Sequence, residues 1–282
     1  MAEWKEYKLG DLVKVNQNSV NKEFPFTEIE YLDTGSITRG KIEDFQKFNI
    51  SEAPSRAKRL LNKDDIIYST VRPIQRHYGI IKNPKGNTVV STGFAVLTCE
   101  EQKANPDFIY YFLTQDDIVN YLDSVAEGST SAYPSLTPDV ITDIDILLPE
   151  LPEQRAIASI LSSLDDKIDL LHRQNKTLEQ LAETLFRQWF IEEAGESWER
   201  TQIGNVLQTE LGGTPSTVNA EYWDGDIPWI NSGEINKFRI VEATRYITKL
   251  GLEKSNTKLM PKGTTVIAIT GATLGQVSLL EI

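Results

Sequence analysis

Arg72, Gln75, Arg76 and His77 lie close together in the stretch STVRPIQRHYG. Their side chains share one kind of chemistry. They are planar hydrogen-bonding groups; the forked Arg and Gln ends can grip a flat polar edge such as that of a nucleic-acid base at two points, and His adds a single ring nitrogen. Pro73 sits among them and cannot donate into a ladder, so the β-rich run DIIYST before it must give way to a loop here. A solvated basic hairpin is the alternative reading. Arg39, after DTGSIT, and the cluster Arg56, Lys58 and Arg59 suit contacts to phosphate, which set affinity and salt dependence but carry no sequence information.

Those side chains sit in a chain of 282 residues with a formal net charge of -12. The sum argues against a polyanionic ligand, but the distribution does not. Between Pro54 and Gly86 eight cations face only Asp64 and Asp65, whereas from Glu100 to Glu153 twelve acids face the single Lys103. One segment is basic and one acidic. The acidic one is expected to meet solvent or a basic face of a partner.

Several other chemistries are disfavoured. Cys99 is the only cysteine, so neither an intrachain disulfide nor a cysteine-built zinc site can form. The glycines of TGATLGQ are not followed by the Lys and Ser or Thr of a phosphate-binding loop. NPKG and NPDF lack the second proline of the Asn-Pro-Pro-aromatic tetrad with which adenine methyltransferases hold a flipped base. His77 and His172 are too far apart to suggest metal pairing, and Asp165, Asp166 and Asp169 read as helix-surface charges. The amino terminus MAEWKEYKLGDL has no basic start followed by an apolar core, and apolar runs such as Val266 to Ile269 are too short to span a bilayer. Cytoplasmic residence without membrane association is expected.

The elements that must position the basic loop emerge when the chain is compared with itself. WKEYKLGDLV from Trp4 returns as WERTQIGNVL from Trp198, EIEYLDTGSI from Glu28 as DIPWINSGEI from Asp226, and RLLNKDDIIYST from Arg59 as KLMPKGTTVIAIT from Lys258. Three blocks in one order define an internal repeat. Each copy has short β-rich runs broken by turns such as TGS, NPKG and LGGTPS. The first copy adds a helix over PDFIYYFLTQDDIVNYL, with Phe108, Tyr111, Phe112, Ile118 and Leu122 sharing a buried side. It closes on a strand in ITDIDILLPELP. The matching blocks of the second copy end at Thr270, the counterpart of Thr70. The chain is therefore expected to be a fragment, or to be completed by something else.

A long helix separates the copies. Pro152 and Glu153 suit its first turn, and Gly195 its end. Ile157, Leu161, Leu164, Ile168, Leu171, Asn175, Leu178, Ala182, Leu185 and Trp189 alternate at spacings of four and three, a heptad seam without a slip. At about 1.5 Å per residue the rod is roughly 50 Å long, and its seam demands a second helix. Within that seam Asn175 penalises shifted alignments if it meets a polar group; otherwise it faces an exposed gap. Trp189 and Phe190 are expected to anchor the end of the rod in a domain core.

The segment LPELPEQRAIASILSSLDDKIDLLHRQNKTLEQLAETLFRQWF, together with the two Trp-led, Leu-Gly or Ile-Gly domain starts, resembles the specificity subunits of type I restriction-modification systems. The likeness covers nearly the whole chain. It implies an α+β fold: a mixed, β-rich target recognition domain over residues 1–150, a coiled-coil-forming spacer helix over 151–195, and a partial second recognition domain over 196–282. It also places the loop GSTSAYPSL near the DNA groove, where Ser129, Thr130, Ser131 and Tyr133 could bind phosphate or stack, although the stretch reads equally as a turn. The implied role is non-catalytic: reading half of a bipartite site in double-stranded DNA for partner adenine methyltransferase and nuclease/translocase subunits. S-adenosylmethionine, ATP and Mg2+ would belong to those partners, and the seam would pair with a second copy or a complementing polypeptide. A protein-only coiled-coil adaptor, or a methyltransferase fused to its own recognition domain, are the rival readings.

Overall fold

The computed structural model describes residues 4–129 and 133–282. Its chain forms two units, 1–188 and 189–282, each described by itself. In chain order the first unit contains strands Lys5–Lys8 (β1), Val13–Val15 (β2), Glu28–Leu32 (β3), Ile37–Thr38 (β4), Lys41–Ile42 (β5), Gln46–Asn49 (β6), Ala57–Leu60 (β7), Asp65–Ser69 (β8), Tyr78–Ile81 (β9), Thr88–Ser91 (β10) and Phe94–Cys99 (β11). Helices Pro106–Leu113 (α1), Asp116–Glu127 (α2) and Pro138–Thr142 (α3), strand Asp145–Leu148 (β12) and helix Leu151–Arg187 (α4) follow.

Two four-stranded sheets form the body, in orders β6-β3-β10-β7 and β2-β11-β8-β9. Strand β8 is buried along its whole length between β11 and β9, which suits the unbroken Ile66, Ile67 and Tyr68 run. Helices α1 and α2 cover its sheet through Phe108, Ile109, Leu113, Val119 and Leu122.

The single helix expected over 106–122 is two. Gln115 adopts an extended conformation (φ −61°, ψ 142°) and restarts the helical register. The buried side is consequently Ile109, Leu113 and Val119 with Phe108 and Leu122, while Phe112 and Ile118 are only partly buried and Tyr111 turns to bond Asp165 on α4 (2.8 Å). The NPDF stretch is the start of α1: the Asn105 side chain accepts from the Phe108 amide (3.0 Å), and Pro106 occupies a position whose N–H is not needed.

The 37-residue α4 leaves this body at a locked root. Gln154, 1% exposed, accepts from the Asn105 amide (2.8 Å) through its side-chain oxygen and donates to the carbonyls of Lys103 (3.0 Å) and Pro149 (2.8 Å). Ala158 is buried and Ile157 packs on the same core, so the first turns of the rod belong to the domain. Beyond Arg187 the helix widens into a π turn, Gln188–Glu192. Trp189 and Phe190 are not buried anchors: they are 53% and 50% exposed. Neither belongs to the apolar cluster of the second unit, which is built from Ile235, Ile240, Ala268 and Leu280.

The second unit contains Trp223–Trp229 (β13), Arg239–Ile240 (β14), Arg245–Ile247 (β15), Lys249–Glu253 (α5), Thr265–Ile267 (β16) and Val277–Leu280 (β17). Its strand registers reproduce the repeat. Ile29 faces Phe48 and Tyr31 faces Gln46 in the first unit; Ile227 faces Ile247 and Trp229 faces Arg245 in the second. After each of these strands comes the same 3-10 turn, Thr34–Ser36 or Ser232–Glu234, capped by Asp33 or Asn231. The hairpin β16/β17 corresponds to β8/β9, but the edge of β16 that β11 covers on β8 carries no strand among the described residues. Ile267 is left 57% exposed. The architecture is α+β: mixed sheets joined to one long helix.

Candidate nucleic-acid interface

The basic loop is the connection between β8 and β9. Pro73 presets a 3-10 turn over Pro73–Gln75, closed by Gln75 N to Arg72 O (2.9 Å) and Arg76 N to Pro73 O (2.8 Å). On either side of it Arg72 (φ 47°) and Arg76 (φ 58°) stand in the left-handed region, which residues with a Cβ seldom occupy.

Three neighbours hold the loop. On one flank, Arg72 N donates to Pro134 O (3.1 Å) and Leu136 N to Thr70 O (2.7 Å), which draws residues 134–136 alongside. The Arg72 guanidinium lies 5.6 Å from the centre of the exposed Tyr133 ring. On the other flank, the β4/β5 turn docks through Arg39 N to Arg76 O (2.9 Å) and Gly40 N to Tyr78 O (2.8 Å). Gly40 is required there, since at its φ of 78° a Cβ would stand 2.8 Å from the Tyr110 hydroxyl. Behind the loop is α2: Asp116 pairs with Arg76 (2.8 Å), and Asp123 accepts the Ile74 amide (3.1 Å). The ion pair raises the Arg76 pKa, chiefly through the Asp116 hydrogen bond. Beneath it Tyr68 stacks on Tyr78 with ring centres 5.4 Å apart, and burial raises the Tyr68 hydroxyl well above its ordinary range.

Arg39, Arg72, Gln75, Arg76, His77, Ser129 and Tyr133 therefore meet on one rim. They do not play equal parts. Arg72, Gln75 and Arg39 are exposed. His77 is half-buried, with Nδ1 2.6 Å from the Ile37 carbonyl; that oxygen can only accept, so Nδ1 carries the proton. Ser129 Oγ accepts from the Ser135 amide (3.3 Å) and braces the flank. Thr130 and Ser131 lie outside the described residues.

Arg56 joins the rim indirectly. Its carbonyl accepts Thr92 N (2.8 Å), and the adjacent Gly93 carbonyl accepts Thr70 N (2.8 Å) at the loop's start. Lys58 and Arg59 belong to β7 in the other sheet and alternate faces. Lys58 is exposed, whereas Arg59 is half-buried, its Nε without a hydrogen-bond partner among the described residues.

Sequence reasoning missed Asp116 and Asp123. Two residues of the acidic stretch contact the basic loop, Asp123 half-buried and Asp116 with its side chain still 76% exposed to solvent. The available signal was the seven-residue spacing of the two acids, which puts them two turns apart on one helix face.

Along α4 the seam is mostly bare. Leu164, Ile168, Leu171 and Leu178 are 45 to 61% exposed, Asn175 is exposed among them, and Leu161 and Leu185 are half-buried. Trp189 lies past the end of the regular helix. Among the described residues no helix is long and apolar enough to cross a membrane.

An arginine-bearing loop locked on an α+β domain, and carried by a long helical strut with an apolar seam, defines a recognition module. Residues 1–180 and 195–281 match the family described as the type I restriction modification DNA specificity domain, and the chain belongs to that family. It is similar to the HindI specificity subunit of Haemophilus influenzae, 30% identical over 234 residues, covering 78% of this chain and 50% of the relative. It also resembles the MjaIX specificity subunit of Methanocaldococcus jannaschii, 25% identical, covering 77% and 52%. The chain thus spans about half the length of these curated relatives. Among solved structures, its fold resembles the HsdS subunit from Thermoanaerobacter tengcongensis (TM-score 0.53, 19% identity, 99% of this chain and 73% of that one). The S subunit from M. genitalium is similar too (TM-score 0.55, 17% identity, 100% and 69%).

Proposed function

We propose that this chain is the sequence-reading, non-catalytic component of a type I restriction-modification complex. The observation that carries the reading is the loop 72–77, whose Arg72 and Gln75 are exposed at a 3-10 turn, in a chain of the specificity family. In this reading residues 1–150 are the first target recognition domain, 151–195 the spacer helix and 196–282 part of a second recognition domain. Arg72 and Gln75 read base edges, and Arg39, Arg56 and Lys58 hold phosphates of double-stranded DNA. Adenine methyltransferase and nuclease/translocase subunits in the cytoplasm supply the chemistry, together with S-adenosylmethionine, ATP and Mg2+.

The bare seam of α4 supports pairing with a second copy or with a polypeptide carrying the complementary helix. A rod of roughly 55 Å exceeds the ~34 Å of one duplex turn, so two reading heads can reach one face of DNA and leave the intervening bases unread.

Co-expression with a type I modification subunit, followed by mapping of methylated adenines, tests the proposal. A palindromic split site is the expected result for two copies of the first domain, and an asymmetric one implicates a different second half. Absence of any methylation, with no salt-dependent DNA retention by the assembled complex, would favour a protein-only adaptor. Methylation by the isolated chain would favour a fused methyltransferase.

A further inference from the structure

Carboxylates beside a surface meant for phosphate weaken binding by like-charge repulsion. The first unit nevertheless places two of them on its reading loop. Asp116 and Asp123 project from α2 and make two different contacts: one to the Arg76 guanidinium and one to the Ile74 amide in the middle of the 3-10 turn. The Arg76 side chain is 19% exposed and that of Asp116 76%, so the cation is tucked in and its carboxylate partner stands outside. A guanidinium bridged in this way does not present its fork outward. Arg72, just before the pinned turn, and Gln75, its last residue, are exposed.

The geometry of the turn gives the acids a reason to be there. Left-handed conformations at both Arg72 and Arg76 are disfavoured by their own Cβ atoms, and a free loop would relax out of them. The Ile74 amide makes neither of the turn's two 3-10 bonds and has Asp123 as its acceptor.

We propose that Asp123 and Asp116 are positioning residues for DNA recognition: they lock loop 72–77 into the conformation that displays Arg72 and Gln75, and Arg76 is part of that lock rather than a base reader. This deepens the reading of the rim as a DNA interface and rests on it. Holding the loop in one shape before DNA arrives removes an ordering cost that any competing shape would otherwise add.

The test uses the full chain co-purified with a type I modification subunit. Affinity is measured for a duplex carrying the site mapped from methylated adenines and for the same duplex with one half-site scrambled, over a range of salt. Asp123→Ala should reduce the ratio of the two affinities by about tenfold, the lower part of what one base contact contributes. The slope of log affinity against log salt should stay unchanged, because no phosphate contact is lost. Asp123→Asn, whose amide oxygen can accept the same N–H, should keep the ratio within about threefold of wild type. An unchanged ratio in Asp123→Ala overturns the proposal, as does an equal gain on both duplexes, which would mark the acid as a mere repellent. Wild-type protein that does not distinguish the duplexes would sink the DNA-reading assignment itself, and this inference with it.

Discussion

The guanidinium of Arg72 lies 5.6 Å from the centre of the Tyr133 ring, joining the basic loop to a stretch 61 residues further along the chain. The ring limits the directions in which the guanidinium can point, and Pro134 O fixes the backbone of the same arginine. Arg72→Ala should cost about 1 to 3 kcal/mol on the cognate duplex and relax preference at one base position. Arg72→Lys should lose most of the same discrimination, since an ammonium has no planar fork. Competition binding against single-base variants of the site measures both. Equal loss on every sequence would reassign Arg72 to a phosphate.

Gln154 fastens the root of α4 by three hydrogen bonds to the segments 103–105 and 149. Gln154→Ala leaves the part-buried Asn105 amide and the carbonyls of Lys103 and Pro149 without their partner, at a cost of about 2 to 4 kcal/mol. Urea unfolding followed by tryptophan fluorescence and circular dichroism gives the value. A loss within the error of the method would mean that water replaces the amide and the root is not a lock.

Cys99 ends β11 and is 8% exposed. Burial first, and the negative charges of Asp65, Asp107 and Asp64 after it, push its thiol up to about 12. Only the thiolate attacks a disulfide reagent. At pH 8 the folded protein should therefore resist a chromogenic aromatic disulfide, and one thiol per chain should react once urea unfolds the first unit. Rapid stoichiometric labelling under native conditions would show that β11 opens far more readily than its packing implies.

On α4, Ile168 and Leu171 are 49% and 45% exposed at the middle of the seam. If a second copy covers them, Ile168→Glu with Leu171→Glu should turn a micromolar dimer into monomers in sedimentation velocity runs. Asn175→Leu should tighten association while admitting shifted alignments, because a buried amide penalises registers in which it faces an apolar side chain. A wild-type chain that sediments as a monomer would leave the seam to a different helix.

The features legible in advance were those written in short-range patterns. Pro73 announced the loop, the four-three spacing from Ile157 announced α4, and the returning blocks announced the second unit. The strand registers, with Tyr31 opposite Gln46 and Trp229 opposite Arg245, show the same repeat in backbone form. The break at Gln115 escaped notice because neither glycine nor proline marks it, and Gln115 ends one helix and starts the next simply by turning extended. The burial of Trp189 and Phe190 was misjudged because the spacing shows that a seam exists but not what covers it, and these residues are as exposed as the seam before them.

Periodicity, turn chemistry and self-similarity are properties of neighbours along the chain, and by themselves they determined the β-rich repeat, the rod and the position of the basic loop. Which distant groups would meet was decided only when the layers stacked. Asp123 reaches Ile74 across 49 residues, and Gln154 reaches Asn105 across the same separation. Only its seven-residue spacing from Asp116 sets Asp123 apart from Asp117, and nothing local distinguishes Gln154 from Gln174. The packing of α2 against the β8/β9 connection, and of α4 against the start of α1, gave one member of each pair a partner and left the other in solvent.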